Sequence, residues 1–563
     1  MKIRTNQPLR FFFQNRRMAR PRVAVIGAGA GGLVSMKCCL DEGLEPVCFE
    51  SSNDIGGLWR FQEDPEPEHS SIYRSLISNI SKEMSCFSDF PMPAHFPNYL
   101  HHSQMLQYLR LYAAHFDLFK YIHFQSAVRR VRQRADFSAS GQWEVLVEER
   151  DGQQRGHVFH AVLVCSGHYT SPELPLEEFK GVETFPGKYS HSWEYKDPAA
   201  FCGKRVVVVG IGNSGGDVAA EISRVSAKTF LSTRTGAWVI GRMSSHGLPL
   251  DMVMITRLHA LLLHLLPPAL LNWAAERRLN QKYDHRLYSL LPRHRFLDRR
   301  PIINDDLPGR ILVGALSMKP HIAEFRGSAL AFEDGTVEQD IDAVIFCTGY
   351  TAKFPFLPPS LFAGPEGELT LYKCLFPPSL ERHTLAVLGL FQATGPIMPC
   401  MELQARWATR VFTGRNHLPP ERTMITRIEA ERKKNMRSHS CPKMAALHQQ
   451  YVPFLDDLAQ EVGARPDVLK LCLSDPGLAW RVLLGPCTPY QFRLCGPDRW
   501  AGARQAIYTQ WERVEQPMKT RPTNDIKPWT VPWWLLLSGR VTVILVVTSV
   551  LGKISVSWCS GTS

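Results

Sequence analysis

Two glycine-rich turns, each set between an apolar strand-like run and a helix-like run, restrict what this chain can fold into more than any other feature. The first lies in Val23-Ala24-Val25-Ile26-Gly27-Ala28-Gly29-Ala30-Gly31-Gly32, and a helix-compatible stretch from Leu33 to Leu40 follows it. Gly27 permits the tight turn, Gly29 lets a diphosphate approach the backbone, and Gly32 lets the helix pack close to the strand. Ala28, Ala30 and Gly31 complete that phosphate-binding turn. The N-terminus of the helix then presents free N–H groups and a partial positive charge. A second strand-like run from Glu45 to Phe49 ends on Glu50, eighteen positions beyond Gly32, where an acid is placed to hold ribose hydroxyls.

The pattern recurs from Arg205, as Val206-Val207-Val208-Val209-Gly210-Ile211-Gly212-Asn213-Ser214-Gly215-Gly216-Asp217. Gly210, Gly212, Ser214, Gly215, Gly216 and Asp217 are its candidate cofactor-binding residues. The run that should carry the next ribose-binding acid begins at Lys228 and ends on Thr233 and Arg234, with no carboxylate there. A carboxylate would repel a 2′-phosphate, whereas an arginine pairs with it bidentately. The first turn therefore suits FAD and the second suits NADPH or NADP+. Two other apolar runs, Val162 to Gly167 and Val344 to Gly349, each enter a small-residue turn and are candidate returns between the two cofactor domains, or ordinary strand ends.

The expected fold class is α/β, with two Rossmann-like dinucleotide-binding domains. Residues 18–171 and 331–436 are expected to form the FAD domain. Residues 172–330 would form the NADP domain, with a helical apolar insertion at 248–290, and residues 437–530 a mostly helical region. The length of 563 residues is ample for such cores, and 44% hydrophobic with 21% charged residues is an ordinary globular balance. A formal net charge of +12 favours anionic partners, but its clusters are short and no nucleic-acid motif accompanies them, so no nucleic-acid role is expected. None of the 14 cysteines forms a Cys-x-x-Cys pair or a zinc-type spacing with histidine; reduced thiols and no metal site are expected.

The ends differ in character. Residues 1–17 form a basic extension without acids, either an upstream start or a weak targeting arm. Residues 531–551 are apolar with one charge, Arg540, flanked by Trp529, Trp533, Trp534 and Lys553. That length is enough to span a bilayer, and tryptophans gather at such interfaces. Arg540 is the objection, at roughly 2.5–3.5 kcal/mol for a charge at a helix centre. The segment is expected to be a membrane anchor contacting lipid; the alternatives are a helix lying in one leaflet and a buried terminal element. An internal apolar block from Ile255 to Trp273, broken by Pro267-Pro268, is either core or a second contact with one leaflet.

Several motifs in order resemble one family. Phe185-Pro186-Gly187-Lys188-Tyr189-Ser190-His191-Ser192-Trp193-Glu194-Tyr195 matches the identifying pattern of flavin-containing monooxygenases, the class B flavoproteins, and is most similar to their vertebrate microsomal members. Gly57-Leu58-Trp59 matches their flavin-contacting turn, Ser78-Asn79-Ile80 their active-site asparagine segment, and the run from Glu402 to Arg410 a later signature. The likeness covers about residues 18–504. Gly31 and Gly216 stand where bulkier or polar residues are usual, and Cys347 where alanine is.

The resemblance implies that NADPH reduces FAD and that the reduced flavin captures O2 as a C4a-hydroperoxide. This would oxygenate nucleophilic nitrogen or sulfur atoms of small lipophilic compounds at the endoplasmic reticulum membrane, with the catalytic part in the cytosol. It implies that Asn79 holds the reactive flavin edge and that His191 orients NADP+ or links the domains. Baeyer–Villiger oxidation of carbonyl compounds and an NADPH oxidase releasing H2O2 remain open, as does a membrane-bound cofactor-binding protein without turnover. A pyridine-nucleotide–disulfide reductase would need a redox dithiol that the sequence lacks. A homo-oligomer is compatible with the sequence.

Overall fold

The computed structural model describes residues 20–361, 370–436 and 447–521. The basic extension at 1–17 and the apolar segment at 531–551 lie outside the described residues. Among the described residues no helix is long and apolar enough to cross a membrane.

The chain opens with strand β1 (Arg22–Ile26), helix α1 (Ala30–Asp41) and strand β2 (Glu45–Phe49). Short strand β3 (Ile122–His123) and strand β4 (Ala161–Val164) follow, the latter buried along its whole length. Strands β5 (Lys188–His191) and β6 (Arg205–Val209), helix α2 (Asn213–Ile222) and strand β7 (Lys228–Ser232) come next. Helices α3 (Arg257–Leu265) and α4 (Pro268–Asn280) lead to strands β8 (Ile302–Ile303), β9 (Leu316–Lys319) and β10 (Ala343–Phe346). Strands β11 (Leu385–Val387) and β12 (Gln392–Thr394) and helix α5 (Met398–Phe412) precede a helical region containing α6 (Tyr451–Val462), α7 (Val468–Ser474) and α8 (Pro476–Leu484).

Two all-parallel sheets organise this order. The first runs β11-β4-β1-β2-β3 and the second β9-β7-β6-β10-β5. The near-continuous apolar runs of β1, β4, β6, β10 and β11 suit strands covered on both faces. In each sheet the strand entering the glycine turn is central. On one side it pairs with the strand that ends on Glu50 or just before Arg234. On the other it pairs with β4 or β10, the two runs that enter Gly167 and Gly349.

One domain boundary needs correction. Residues 331–436 were expected in the first domain, but β10 pairs with β6 in register Val206↔Ala343 to Val209↔Phe346, and the chain rejoins the first sheet only at β11. The preceding strands 322–326, 329–332 and 337–338 form an antiparallel meander of their own. Such a meander hands the chain on to β10, so the return belongs after Phe346.

The apolar block breaks where Pro267-Pro268 predicts. Thr256 caps α3 by accepting the His259 N–H at 3.0 Å, and Pro268 occupies the first turn of α4, where a missing N–H does no harm. Helix α5 packs on α1 within the largest core cluster, and its signature residues brace it there. Glu402 accepts the Ser88 N–H at 2.7 Å and Arg493 Nη2 at 2.8 Å, and Arg406 donates to the carbonyls of Phe492 and Pro497. The run from Glu402 to Arg410 is thus a buried strut between the first sheet and the C-terminal helices.

Candidate functional site

At the first turn, Gly27 has φ +98°, and a Cβ there would lie 2.9 Å from the Cys165 carbonyl oxygen. A Cβ on Gly32 would run into the Gly27 carbonyl, so the helix can start this close to the strand only without one. Gly29 is the N-cap of α1 and brings no capping side chain, which leaves the first N–H groups of the helix for an anion. Ala28 is buried, and its N–H donates to Glu50 Oε2 at 2.7 Å while the Ser52 N–H donates to Oε1 at 2.9 Å. The carboxylate is therefore fixed beside the turn, with lone pairs left to accept ribose hydroxyls.

Gly57 covers this turn. The Gly56 N–H donates to the Ala28 carbonyl at 3.1 Å, and a Cβ on Gly57 would stand 3.1 Å from Gly29 Cα. Leu58 and Trp59 continue it as one short helical turn, with Trp59 packed against the main core. The next residue, Arg60, donates Nη2 to Asn53 Oδ1, and its buried Nη1 has no hydrogen-bond partner among the described residues. A cradle closed by glycines, with uncapped helix N–H groups and an arginine N–H to spare, fits a dinucleotide diphosphate.

The second turn repeats the backbone without the cover. Gly210 has φ +102°, and a Cβ on Gly215 would run into the Gly210 carbonyl. Gly212, the N-cap of α2, is exposed, and a Cβ on it would meet nothing within 4 Å. Ser214 lies half-buried in the first turn of α2, and Gly216 is packed beneath Ile302. Asp217 faces away from the anion position. It accepts Tyr73 Oη–H and Asn304 Nδ2–H, each at 2.6 Å, and burial raises its carboxyl above the usual range against those bonds. Its place is structural, holding the loop around Tyr73 to α2. Arg234 stands at the end of β7 with a side chain 67% exposed, 3.6 Å from Glu178. An exposed pair of that kind is worth little, so the guanidinium is free to take a phosphate.

Asn79 sits in a turn held on several sides. The Ser78 N–H donates to the Leu100 carbonyl at 2.8 Å, and its hydroxyl accepts the Leu100 N–H at 2.8 Å and donates to the Ile80 carbonyl at 3.0 Å. Ser81 donates both N–H and Oγ–H to the buried Asp251, at 2.8 and 2.7 Å. Burial raises the Asp251 carboxyl, opposed by these donors. Lys82 donates to the Ala94 and Phe96 carbonyls, and burial pushes its amine down to about 8. Asn79 Oδ1 then accepts Arg242 Nη2 at 2.7 Å, while Arg242 Nε donates to the Ser78 carbonyl and Nη1 pairs with Asp305 at 2.9 Å.

Arg242, which follows the run Val239-Ile240-Gly241, is, like Arg60, a candidate site residue that sequence reasoning missed. It contacts Asn79 from 163 positions away, and no local pattern marks it. Its donation fixes the Asn79 amide so that the Nδ2 hydrogens remain for a ligand.

The segment Phe185 to Tyr195 bonds to residues from both glycine-turn halves of the chain. Tyr195 Oη donates to Glu221 at 2.9 Å, Trp193 Nε1 donates to the His69 carbonyl at 2.8 Å, and His191 Nδ1 accepts the Trp193 N–H at 3.1 Å. His191 is buried against the Tyr350 ring, and burial lowers its pKa below the ordinary imidazole value.

Comparison with known proteins bears directly on this arrangement. Residues 20–552 match the sequence profile of the family described as flavin-binding monooxygenase-like. Mouse (Mus musculus) dimethylaniline monooxygenase (N-oxide-forming) 2 is 50% identical over 524 residues, covering 93% of this chain and 98% of that protein. Mouse flavin-containing monooxygenase 5 is 51% identical over 504 residues, covering 90% and 94%. Among solved structures, S-allyl-L-cysteine S-oxygenase from Allium sativum aligns with TM-score 0.61 at 24% identity, covering 88% of this chain and 99% of that one. Cyclohexanone monooxygenase from Rhodococcus sp. Phi1, bound to NADP+, aligns at 0.57 and 16% identity, covering 79% and 98%.

Proposed function

The chain belongs to the flavin-binding monooxygenase-like family, and from that premise we propose how its residues serve an NADPH- and O2-dependent oxygenation of nucleophilic nitrogen or sulfur in small lipophilic compounds. It is a flavin-containing monooxygenase using FAD and NADP(H). Bound FAD supplies the redox and oxygen chemistry and NADPH the hydride.

The single observation that carries the assignment of roles is the contrast at the two strand ends. Glu50 is locked to a covered turn, and Arg234 stands loosely paired beside an open one. The α1 N–H groups and Arg60 would take the FAD diphosphate, and Glu50 the ribose hydroxyls. The α2 N–H groups would take the NADP diphosphate, and Arg234 the 2′-phosphate. Asn79, aligned by Arg242, would offer its Nδ2 hydrogens to the reacting edge of the cofactor.

Coupling tests this directly. Asn79→Ala should bind FAD and be reduced by NADPH nearly as the parent does. Its ratio of oxygenated product to NADPH consumed should fall several-fold while H2O2 release rises. Arg242→Ala should do the same more weakly, because the amide loses its alignment but not its presence. An unchanged product ratio in Asn79→Ala would make Asn79 a turn residue only.

The protein is further proposed to work at the endoplasmic reticulum membrane, its catalytic part in the cytosol, held by the apolar segment 531–551. Supporting a second contact, α3, α4 and α7 expose Leu265, Trp273 and Leu473, the last 90% exposed, near the cationic Arg277 and Lys470. Exposed leucine and tryptophan beside basic residues suit an anionic lipid surface. A variant ending before Val531 should keep FAD and activity yet leave the membrane fraction more readily; equal retention of both proteins on membranes would assign the attachment elsewhere.

A further inference from the structure

A group of side chains at the rim between the two sheets has no part in the roles above. His168 follows Gly167 at the end of β4, and Tyr350 follows Gly349 at the end of β10. The Tyr169 ring lies 4.1 Å from His168 and 5.6 Å from Tyr350, and Tyr350 lies 5.2 Å from His191, all centroid to centroid. Beside His168 and Tyr169 stands Arg300.

Arg300 donates Nη2 to Gln392 Oε1 at 3.3 Å, while its Nε is buried without a hydrogen-bond partner. His168 Nε2 is in the same condition among the described residues. Among the described residues no carboxylate pairs with Arg300; its neighbours are the His168 imidazole and the Tyr169 phenol. A guanidinium does not shed its proton in a protein, so a half-buried one without a carboxylate partner is a liability that an anion would offset.

The backbone says which anion. The Ile303 N–H, three residues on, donates to Asn213 Oδ1 at 2.9 Å, and Asn213 opens α2. Ile302 packs where a Cβ on Gly216 would sit 3.4 Å away. The chain from Ile302 to Asn304 therefore lines the second turn, at the carboxyl ends of the strands where such sheets take their ligands, and Arg300 stands two residues before it. The first turn already has Arg60, whose buried Nη1 also lacks a partner among the described residues.

We propose that Arg300 is the cation for the diphosphate of NADP(H), pairing with it across the opening of the second turn from the side opposite the helix N-terminus. The inference rests on the assignment of NADP(H) to that turn. Arg300 would be a binding residue for the bridge of the dinucleotide, separate from Arg234 at its 2′-phosphate.

The test uses the full chain with FAD bound and measures affinity by calorimetry for three probes: NADP+, 2′-phospho-ADP-ribose, which keeps the diphosphate without nicotinamide, and 2′-AMP, which lacks the diphosphate. Arg300→Gln should weaken NADP+ and 2′-phospho-ADP-ribose alike, on the order of tenfold or more, and leave 2′-AMP unchanged. Arg300→Lys should retain most of the affinity, and both variants should keep FAD and the thermal stability of the parent without NADP+. Unchanged affinity for 2′-phospho-ADP-ribose in Arg300→Gln would overturn the proposal, as would an equal loss for 2′-AMP or a loss of FAD from both variants. A parent protein that itself binds neither NADP+ nor 2′-AMP would instead overturn the assignment of the turn.

Discussion

The two dinucleotide halves of this chain share a plan and differ in closure. Each has a central strand, a glycine turn, a helix without a capping side chain, and a returning strand that leads into a second glycine-containing turn. The first turn is roofed by Gly56-Gly57, and its acid is tied to backbone N–H groups on both oxygens. The second is open above Gly212, and its arginine is exposed. The same backbone can thus hold one dinucleotide as a resident and exchange another as a reactant. The lesson is that the fold supplies the anion site, while the cover and the charge at the next strand decide what occupies it and for how long.

The largest effects should come from filling the glycine contacts, because a Cβ at either helix start meets a carbonyl oxygen that cannot move without the turn. Gly32→Ala should purify with little or no FAD. Gly215→Ala should keep its flavin, yet NADPH should no longer bleach it at a measurable rate. Flavin absorbance before and after NADPH separates the two halves in one experiment. If Gly215→Ala also loses FAD, the halves are not independent and the comparison breaks.

A smaller effect should come from the rims. His168 follows the return strand of the first half, where Tyr350 stands in the second. Burial and the neighbouring Arg300 push the His168 imidazole down to about 4 from an ordinary 6.5. The unfolded chain would take up this proton near pH 6.5 and the folded chain only near pH 4. The stability from the neutral ring is therefore whole above pH 6.5 and lost as pH falls toward 4. His168→Gln should lose fewer degrees of Tm between about pH 7 and pH 5 than the parent does, by a few degrees at most. Equal slopes would place the acid sensitivity elsewhere.

Most of the architecture was legible because it is written locally. Both glycine turns, the strands entering them, Glu50, Arg234 and the break at Pro267-Pro268 depend on residues close in sequence, and periodicity or turn chemistry marks each. The placement of β10 was not legible. A four-residue buried strand carries no mark of which sheet it will join, and only the pairing with Val206–Val209 decides it. Asp217 looked like a phosphate-side residue from its position in the turn, but helix geometry turns it toward Tyr73 and Asn304. Arg242 and Arg300 were invisible for the same reason as β10: what defines them is a partner, or an unfilled N–H, set by chain segments far away.

The second half is proposed to take a 2′-phosphate because of the exposed Arg234 just beyond β7. The measurement closest to that proposal is the rate of flavin reduction in the parent and in Arg234→Ala, as a function of NADPH and of NADH. Loss of a charge-assisted pair with a phosphate costs roughly 1.5–3 kcal/mol, equivalent to about ten- to a hundredfold. Arg234→Ala should therefore raise the NADPH concentration needed for half-maximal reduction by that factor while leaving NADH almost unchanged, so that the preference between them collapses. Retained preference for NADPH at the parent concentration would contradict the account.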